Sequence, residues 1–288
     1  MILGKINKQS IAISGFTSVL ETIDSPPNYL YIAGKLPEER LPTVAIVGSR
    51  KPTPYGIEVT QKLAADLARS GVVIVSGLAT GIDSIAHQAA LEAGGITIAI
   101  VANGLHKIYP ASNLALAREI IANGGAIISE HEEGFEPRGY HFLARNRLVS
   151  GIADAVIVTE AAERSGSLST VAHAYQQNKE VFAVPGSITS LLSAGPNRVL
   201  QQGAHVALEA RDILEVIAPN FKPSQAALPL GYTPVETRVI ELIQAGVRDG
   251  ELLKNKCDAT ASEFSRALTM LELNGTIRSL GANQWALR

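Results

Sequence analysis

A regular alternation of short apolar runs with helical stretches constrains the fold of this chain more than any other feature. From Thr43 onward, each run is followed by a loop, usually with glycine, and most loops lead into an Ala- and Leu-rich stretch with helical spacing. The runs occupy residues 43–47, 72–75, 97–101, 126–129, 155–159 and 181–184. Strands that alternate with helices are typical of a sheet covered by helices on both faces. The sequence therefore predicts a Rossmann-like α/β domain with a mostly parallel sheet.

Four prolines that follow Ile217 mark the best domain boundary, because the stretch that contains them cannot sustain a helix. They are Pro219, Pro223, Pro229 and Pro234. We expect residues 1–217 to form the Rossmann-like domain, with 1–42 as a leader that adds a strand at 29–32. Residues 218–233 are then a proline-rich linker, and residues 234–288 form a second, smaller domain.

The second domain shows three helical patterns followed by two short extended segments. The helical patterns lie at about 234–244, 251–256 and 261–274, and the extended segments lie at 276–280 and 284–287. Three short helices and a terminal hairpin suggest a winged helix. A generic three-helix cap is the alternative, because helix-turn-helix assignments from one sequence are often wrong.

The composition and charge of the chain exclude several classes of function. The chain has 288 residues, 46% of them hydrophobic, and its 25 basic and 27 acidic residues give a formal charge of -2. Such a balance gives no overall attraction to polyanions, so any nucleic-acid site must be a local cluster of cations. The single cysteine, Cys257, excludes a disulfide framework and a cysteine-rich zinc site, which fits a reducing cytoplasm. We see no signal peptide and no run long enough to span a bilayer.

Residues that follow the apolar runs are the candidates for ligand contact, because open parallel sheets bind ligands at the carboxyl ends of their strands. The first run is followed by Gly48, Ser49, Arg50 and Lys51, and the second by a stretch that begins Ser76-Gly77. Glycine lets the backbone approach an oxyanion, and the arginine fork suits phosphate. Neither a Gly-x-Gly-x-x-Gly pattern nor a Walker lysine pattern follows the first run, so we expect no nucleotide cofactor.

Two polar residues, Asp83 and His87, are four positions apart and could face one another on a helix. One carboxylate and one imidazole make an incomplete metal set, and Asp83 also suits helix capping. The remaining histidines show no ligand spacing. We therefore expect no metal site and no catalytic residue.

The fourth loop region, residues 137–147, carries three arginines among aromatic side chains in an otherwise neutral chain. Single-stranded nucleic acid is held by rings that stack on bases, beside a cationic track for the phosphates. Phe142 is the candidate ring, and Arg138 belongs to the track. Of Arg145 and Arg147, we expect one to face the ligand and the other to pair with a carboxylate such as Glu130 or Glu160. The alternative is that Phe142 lies in the core and both arginines form structural ion pairs.

A serine-rich turn, Ser165-Gly166-Ser167, precedes the helix that follows the fifth run. Hydroxyl-rich helix starts are commonly caps, so we expect capping first and ligand contact second.

These motifs, in this order, closely resemble the DprA (Smf) family of DNA-processing proteins. The matching segments are Val47-Gly48-Ser49-Arg50, Ser76-Gly77-Leu78-Ala79 with Gly81-Ile82-Asp83, Ile108-Tyr109-Pro110, Phe142 with Arg145-Asn146-Arg147, Ser165-Gly166-Ser167 and Pro185-Gly186. The resemblance covers about 26–217, and the tail 231–288 looks like the winged-helix domain of many members. It implies an extended Rossmann fold that is not an enzyme, binds and protects single-stranded DNA entering during natural transformation, dimerises, and helps to load the RecA recombinase in recombination.

The expected DNA contacts combine the loop residues with the family motifs. They are Gly48, Ser49, Arg50, Lys51, Gly77, Arg138, Phe142, Arg145, Asn146, Arg147, Ser165, Gly166 and Ser167.

The sequence departs from the family pattern at two places, and the resemblance does not extend to the functions of those parts. The leader before Pro26 is too short for the sterile-alpha-motif-like domain of many relatives. The tail from Gly231 has seven basic and seven acidic residues, and a neutral winged helix is a weak DNA reader.

Two other functions remain as alternatives. A nucleotide-hydrolysing enzyme of the lysine-decarboxylase-like fold would share the sheet and the glycine loops, but its Pro-Gly-Gly-x-Gly-Thr signature is missing. A transcription regulator with a ligand-sensing front domain would use the winged helix on duplex DNA, which the neutral tail disfavours.

Overall fold

The computed structural model of the chain describes residues 2–13, 15–219, 221, 233–257 and 259–287. The chain divides into two units, Met1–Ser224 and Gln225–Arg288. Most of the predicted linker, residues 218–233, lies outside the described residues, so the predicted domain boundaries stay a prediction.

The first unit is built on one large sheet. Its strands are β1 (Ile6–Ser10), β2 (Tyr29–Gly34), β3 (Thr43–Val47), β4 (Val73–Ser76), β5 (Thr97–Val101), β6 (Ala126–Ser129), β7 (Ala155–Val158), β8 (Glu180–Ala183) and β9 (His205–Val206). Their order across the sheet is β1-β2-β6-β5-β4-β3-β7-β8-β9. The pairs β1–β2 and β2–β6 are antiparallel, and every other neighbouring pair is parallel. The predicted Rossmann-like architecture with a mostly parallel sheet is confirmed.

All six apolar runs are strands, and the added strand predicted at 29–32 is β2. Every residue of β3, β4, β5, β6 and β7 is buried, which is why these strands read as continuous apolar runs. The sequence did not predict the edge strands β1 and β9. β1 has the mostly polar sequence INKQS, and β9 has only two residues.

Helices cover both faces of the sheet. They are α1 (Pro54–Arg69), α2 (Ile82–Glu92), α3 (Leu114–Ala122), α4 (Gly139–Ile152), α5 (Leu168–Gln176), α6 (Ala194–Gln201) and α7 (Ala210–Ile217). On one face, Leu63 of α1 and Ile213 of α7 belong to a core that includes Ile46 of β3. On the other face, Leu148 of α4 and Val171 of α5 pack into a second core.

Helix α4 corrects the interpretation of residues 139–147 as part of a loop region. The helix spans this stretch, and the ring Nδ1 of His141 accepts a hydrogen bond from the Arg138 amide at its start (2.9 Å). The buried apolar residues of α4, Leu148, Val149 and Ile152, lie only in its second half. Its first half therefore carries little of the amphipathic periodicity by which helices are recognised.

The second unit contains helices α8 (Pro234–Gln244), α9 (Gly250–Lys256) and α10 (Ala261–Leu273), and then a hairpin of β10 (Ile277–Gly281) and β11 (Gln284–Leu287). Its core includes Val239 of α8, Leu253 of α9 and Phe264 of α10. The predicted three helices and terminal hairpin are confirmed. Among the described residues, no helix is both long enough and apolar enough to cross a bilayer.

Candidate functional site

A cleft of about 360 Å³ opens in the first unit at the carboxyl ends of β3, β4 and β7. It collects most of the residues that the sequence singled out, drawn from four separate segments. Those present are Gly48, Ser49, Arg50, Gly77, Phe142, Arg145, Asn146, Ser165, Gly166 and Ser167. The other three expected residues, Lys51, Arg138 and Arg147, do not line this first cleft.

The turn that carries Arg50 is fixed by Glu160, which is 1% exposed. The Glu160 carboxylate accepts hydrogen bonds from the Thr53 amide (2.8 Å) and hydroxyl (2.5 Å), and its backbone oxygen accepts one from the Ser49 amide (2.6 Å). A Cβ on Gly48 would lie 2.7 Å from that same backbone oxygen, so glycine is needed there. Glu160 was expected only as a partner for Arg145 or Arg147. Its role here is to shape the 48–53 turn.

Arg50 lies within this turn and has an exposed side chain. Within the described part of the chain, its guanidinium makes no hydrogen bond or ion pair, so its five donors are available to a ligand. Lys51 is also exposed, but its side chain lies outside the first cleft.

Arg145 has a different environment, since it is only 5% exposed. Its Nη1 donates to the backbone oxygen of Gly77 (2.8 Å) and to that of Ile100. Burial lowers the pKa of Arg145 to about 10, and the charge of Asp83 opposes that shift. Asp83 in turn accepts from the Gly77 and Ala79 amides (3.1 and 3.3 Å). Arg145 thus forms the inner wall of the cleft while it ties the ends of β4 and β5 together.

Arg147 points away from the cleft and forms a two-point ion pair with Glu130, at 2.7 and 3.3 Å. The sequence predicted that one of the two arginines would pair with a carboxylate such as Glu130, and Arg147 is that residue. Its place in this pair gives no support to the expectation that it contacts DNA. Arg138, just before α4, is exposed and does not line the first cleft.

Asp83 and His87 do not face one another. The His87 ring Nδ1 contacts the Thr97 hydroxyl (2.6 Å), which itself donates to the Ile74 carbonyl (2.8 Å). Thr97 has only one hydroxyl hydrogen, so His87 carries its proton on Nδ1 and donates it. No group of three or more His, Cys, Asp or Glu side chains that could hold a metal occurs among the described residues.

Asn146 joins α4 to the serine-rich turn, donating to the Ser169 hydroxyl (2.7 Å) and the Gly166 carbonyl (3.2 Å). Ser167 occupies the N-cap position of α5, but its side chain makes no capping hydrogen bond. Instead, its hydroxyl contacts the Ser165 hydroxyl (2.7 Å). The capping role expected first for these serines is wrong for Ser167, and the turn presents its hydroxyls to the cleft.

A second cleft of about 610 Å³ adjoins the first and shares Arg50, Phe142 and Leu143 with it. It adds Lys107, Tyr109 and Glu136, to which the sequence assigned no role. The Tyr109 and Phe142 rings lie 5.6 Å apart between centroids. Tyr109 belongs to the Ile108-Tyr109-Pro110 motif, which was the only available signal for it.

Comparisons with known proteins identify the family of this chain. Residues 10–218 match the family model described as DNA recombination-mediator protein A, and residues 221–283 match the DprA winged helix domain. The DNA processing protein DprA of Bacillus subtilis is 41% identical over 211 residues, 73% of this chain and 71% of the relative. Protein Smf of Escherichia coli is 43% identical over 282 residues, 94% of this chain and 74% of the relative.

Two solved structures resemble the chain closely. DNA processing protein A from Streptococcus pneumoniae superposes with a TM-score of 0.69 at 40% identity, covering 75% of each chain. DNA processing protein A from Helicobacter pylori, for which a single-stranded DNA binding mode is described, gives a TM-score of 0.66 at 34% identity, covering 75% of this chain and 97% of its own. The chain, with its C-terminal winged-helix domain, therefore belongs to the DprA/Smf family of DNA processing proteins.

Proposed function

We propose that this protein binds single-stranded DNA and that the first cleft holds the strand. The carrying observation is the exposed Arg50, which has no partner within the described residues and stands beside Phe142 at a cleft lined by glycine and serine. An unpaired guanidinium is available to grip a phosphate in two-point fashion, and a half-buried ring beside it offers a face for a base. The single-stranded DNA binding mode described for the Helicobacter pylori relative supports the same conclusion.

The backbone and hydroxyls of the cleft complement the arginine. Gly48 and Gly77 line the cleft without side chains, and the 165–167 turn supplies hydroxyl donors. Helix α5 starts at Leu168, next to this turn, so the positive end of its dipole also favours a phosphate. We infer that phosphates lie between Arg50 and the 165–167 turn.

The number of available cations sets the expected salt dependence. Arg145 is buried and Arg147 is paired, so Arg50 is the cation of the first cleft that we expect to contact phosphate. Each phosphate contact contributes a slope of about −0.7 in log K against log salt for single strands, and this one contact predicts a slope of about that size. A slope near −3.5, as about five contacts would give, would restore Lys51, Arg138, Arg145 and Arg147 as DNA contacts.

A titration of labelled oligothymidine tests the proposal. Arg50→Met and Phe142→Ala should each weaken binding about tenfold or more. Arg211→Met is the matched control for the arginine, because Arg211 is exposed on α7 and contacts Glu215 rather than either cleft. No binding at micromolar wild-type protein, or full affinity in the Arg50→Met, Phe142→Ala double variant, would refute the proposal.

We also propose the finer family roles for this chain: a cytoplasmic homodimer that protects incoming DNA and helps to load RecA, without catalysis. Family membership supports these roles. Release of a free base from a panel of nucleotides would instead support the hydrolase alternative. Failure to speed the assembly of RecA on DNA coated with single-strand-binding protein would contradict the loading role.

A further inference from the structure

The second cleft contains chemistry that the proposed function does not use. Tyr109 is 53% exposed at its rim, and its ring packs against Phe142, which holds the ring in place. A solvent-exposed aromatic face beside cations is a surface on which a nucleobase stacks. Because Arg50 and Phe142 line both clefts, a strand bound in the first cleft can continue directly into the second.

Lys107, the cation that lines this cleft and not the first, is already paired. The Lys107 ammonium donates to the Glu136 carboxylate, and His106 Nε2 approaches the other oxygen of that carboxylate at 3.4 Å. The Lys107 hydrogen bond lowers the pKa of Glu136, so Glu136 is charged at neutral pH. Both partners are substantially exposed, Lys107 by 42% and Glu136 by 62% of their side chains. Exposed ion pairs are weak, so a DNA phosphate can replace this carboxylate at Lys107.

We propose that the second cleft is a further nucleotide subsite for the same single strand, in which Tyr109 stacks a base and Lys107 exchanges Glu136 for the adjoining phosphate. This inference rests on the proposed function, because it extends the strand that the first cleft holds. Glu136 then acts as a competitor of DNA, since it neutralises Lys107 in the free protein. Stacking on Tyr109 increases the affinity for DNA, and breaking the Lys107–Glu136 pair offsets part of this increase.

A double-mutant cycle on oligothymidine binding tests the exchange. Glu136→Gln should tighten binding about two- to fivefold at low salt, the range set by an exposed ion pair. Lys107→Ala should weaken binding, and Glu136→Gln should have no further effect in that background. Glu215→Gln is the matched control, because it changes the net charge equally at an exposed pair on α7, remote from both clefts.

Substitutions of Tyr109 test the stacked base. Tyr109→Ala should weaken oligothymidine binding about tenfold, and Tyr109→Phe, which keeps the ring, should retain wild-type affinity. Tyr175→Ala is the control, since Tyr175 is an exposed tyrosine on α5 that lines neither cleft.

The outcomes separate this inference from the proposed function. If Arg50→Met loses binding while Tyr109→Ala binds as wild type, or Glu136→Gln behaves like Glu215→Gln, the second subsite is wrong and the first stands. If the wild-type protein does not bind oligothymidine at all, both are wrong.

Discussion

The contrasting environments of Arg50 and Arg145 predict that the same substitution will have opposite consequences at the two positions. Arg145→Met removes the guanidinium that donates to Gly77 and Ile100, and it leaves Asp83 buried without its neighbouring cation. Arg50→Met removes a guanidinium that has no partner among the described residues. We expect Arg145→Met to destabilise the fold and Arg50→Met to abolish only the DNA contact.

The size of the effect at Arg145 follows from its hydrogen bonds and burial. A hydrogen bond to a charged group contributes about 1.5–3 kcal/mol, and Arg145 makes two. Removing one member of a buried charged arrangement costs about 3–5 kcal/mol, and methionine refills most of the vacated volume. We therefore expect a loss of about 3–5 kcal/mol. In a unit of this size, each kcal/mol corresponds to about 2–4 °C, so the Tm should fall by roughly 6–20 °C.

Thermal unfolding followed by circular dichroism, together with oligothymidine titration well below both melting temperatures, measures the two effects separately. Arg50→Met should melt within about 1 °C of wild type, as expected for an exposed residue without partners, and should bind DNA weakly. Arg145→Met should melt much earlier. If Arg145→Met instead keeps the wild-type Tm and loses DNA binding, Arg145 is a DNA contact and not a structural support.

Three further predictions concern pH, the 48–53 turn and the second unit. Burial lowers the pKa of His87 to about 3, so its contribution to stability is complete above the unfolded pKa of about 6.5 and is lost as the pH falls towards 3. His87→Gln should therefore lower the Tm at pH 7 but flatten its decline in acid. Gly48→Ala places a Cβ 2.7 Å from the Glu160 carbonyl, so oligothymidine affinity should fall several-fold with a smaller loss of Tm. Deletion of residues 225–288 should leave oligothymidine binding unchanged, as measured by the same titration, whereas a large loss would give the neutral tail a direct role.

The sheet was predictable from the sequence because its central strands are buried on both faces. A strand covered by helices on either side is apolar at nearly every position, so β3 to β7 appear as aliphatic runs with at most one Thr or Ser, at an end of the strand. Edge strands have no such requirement. The polar strand β1 is held mainly by its antiparallel pairing with β2, and backbone pairing leaves no trace in side-chain pattern.

The location of the candidate site was predictable, because open parallel sheets bind ligands at the carboxyl ends of their strands. From this rule, Gly48, Gly77 and Gly166 were expected near one another although they are far apart in sequence, and they line one cleft. It could not separate Arg145 from Arg147. The two residues are two positions apart on α4, and which one is buried depends on how the helix is rotated against the sheet, a tertiary property.

The remaining site residues could not be assigned a role from the sequence, for a different reason. Lys107, Tyr109 and Glu136 are ordinary surface residue types, and only the approach of the 104–109 and 130–138 segments makes a cleft of them. Glu160 was missed as a support because its partners are a backbone amide and a hydroxyl at Thr53, 107 residues away.

The pairing of cations explains how a chain with a net charge of -2 can present an anion site. Of the cations that line the two clefts, Arg145 is held by backbone oxygens beside Asp83, and Lys107 is held by Glu136. Arg50 alone among them has no partner within the described residues. Local attraction for a phosphate depends on such an unpaired charge and not on the total, because exposed charges farther away than a Debye length of about 8–10 Å are largely screened by salt. Substitution of an acidic partner should therefore strengthen DNA binding more than a new lysine elsewhere on the surface, and Glu136 is the position where this should be greatest.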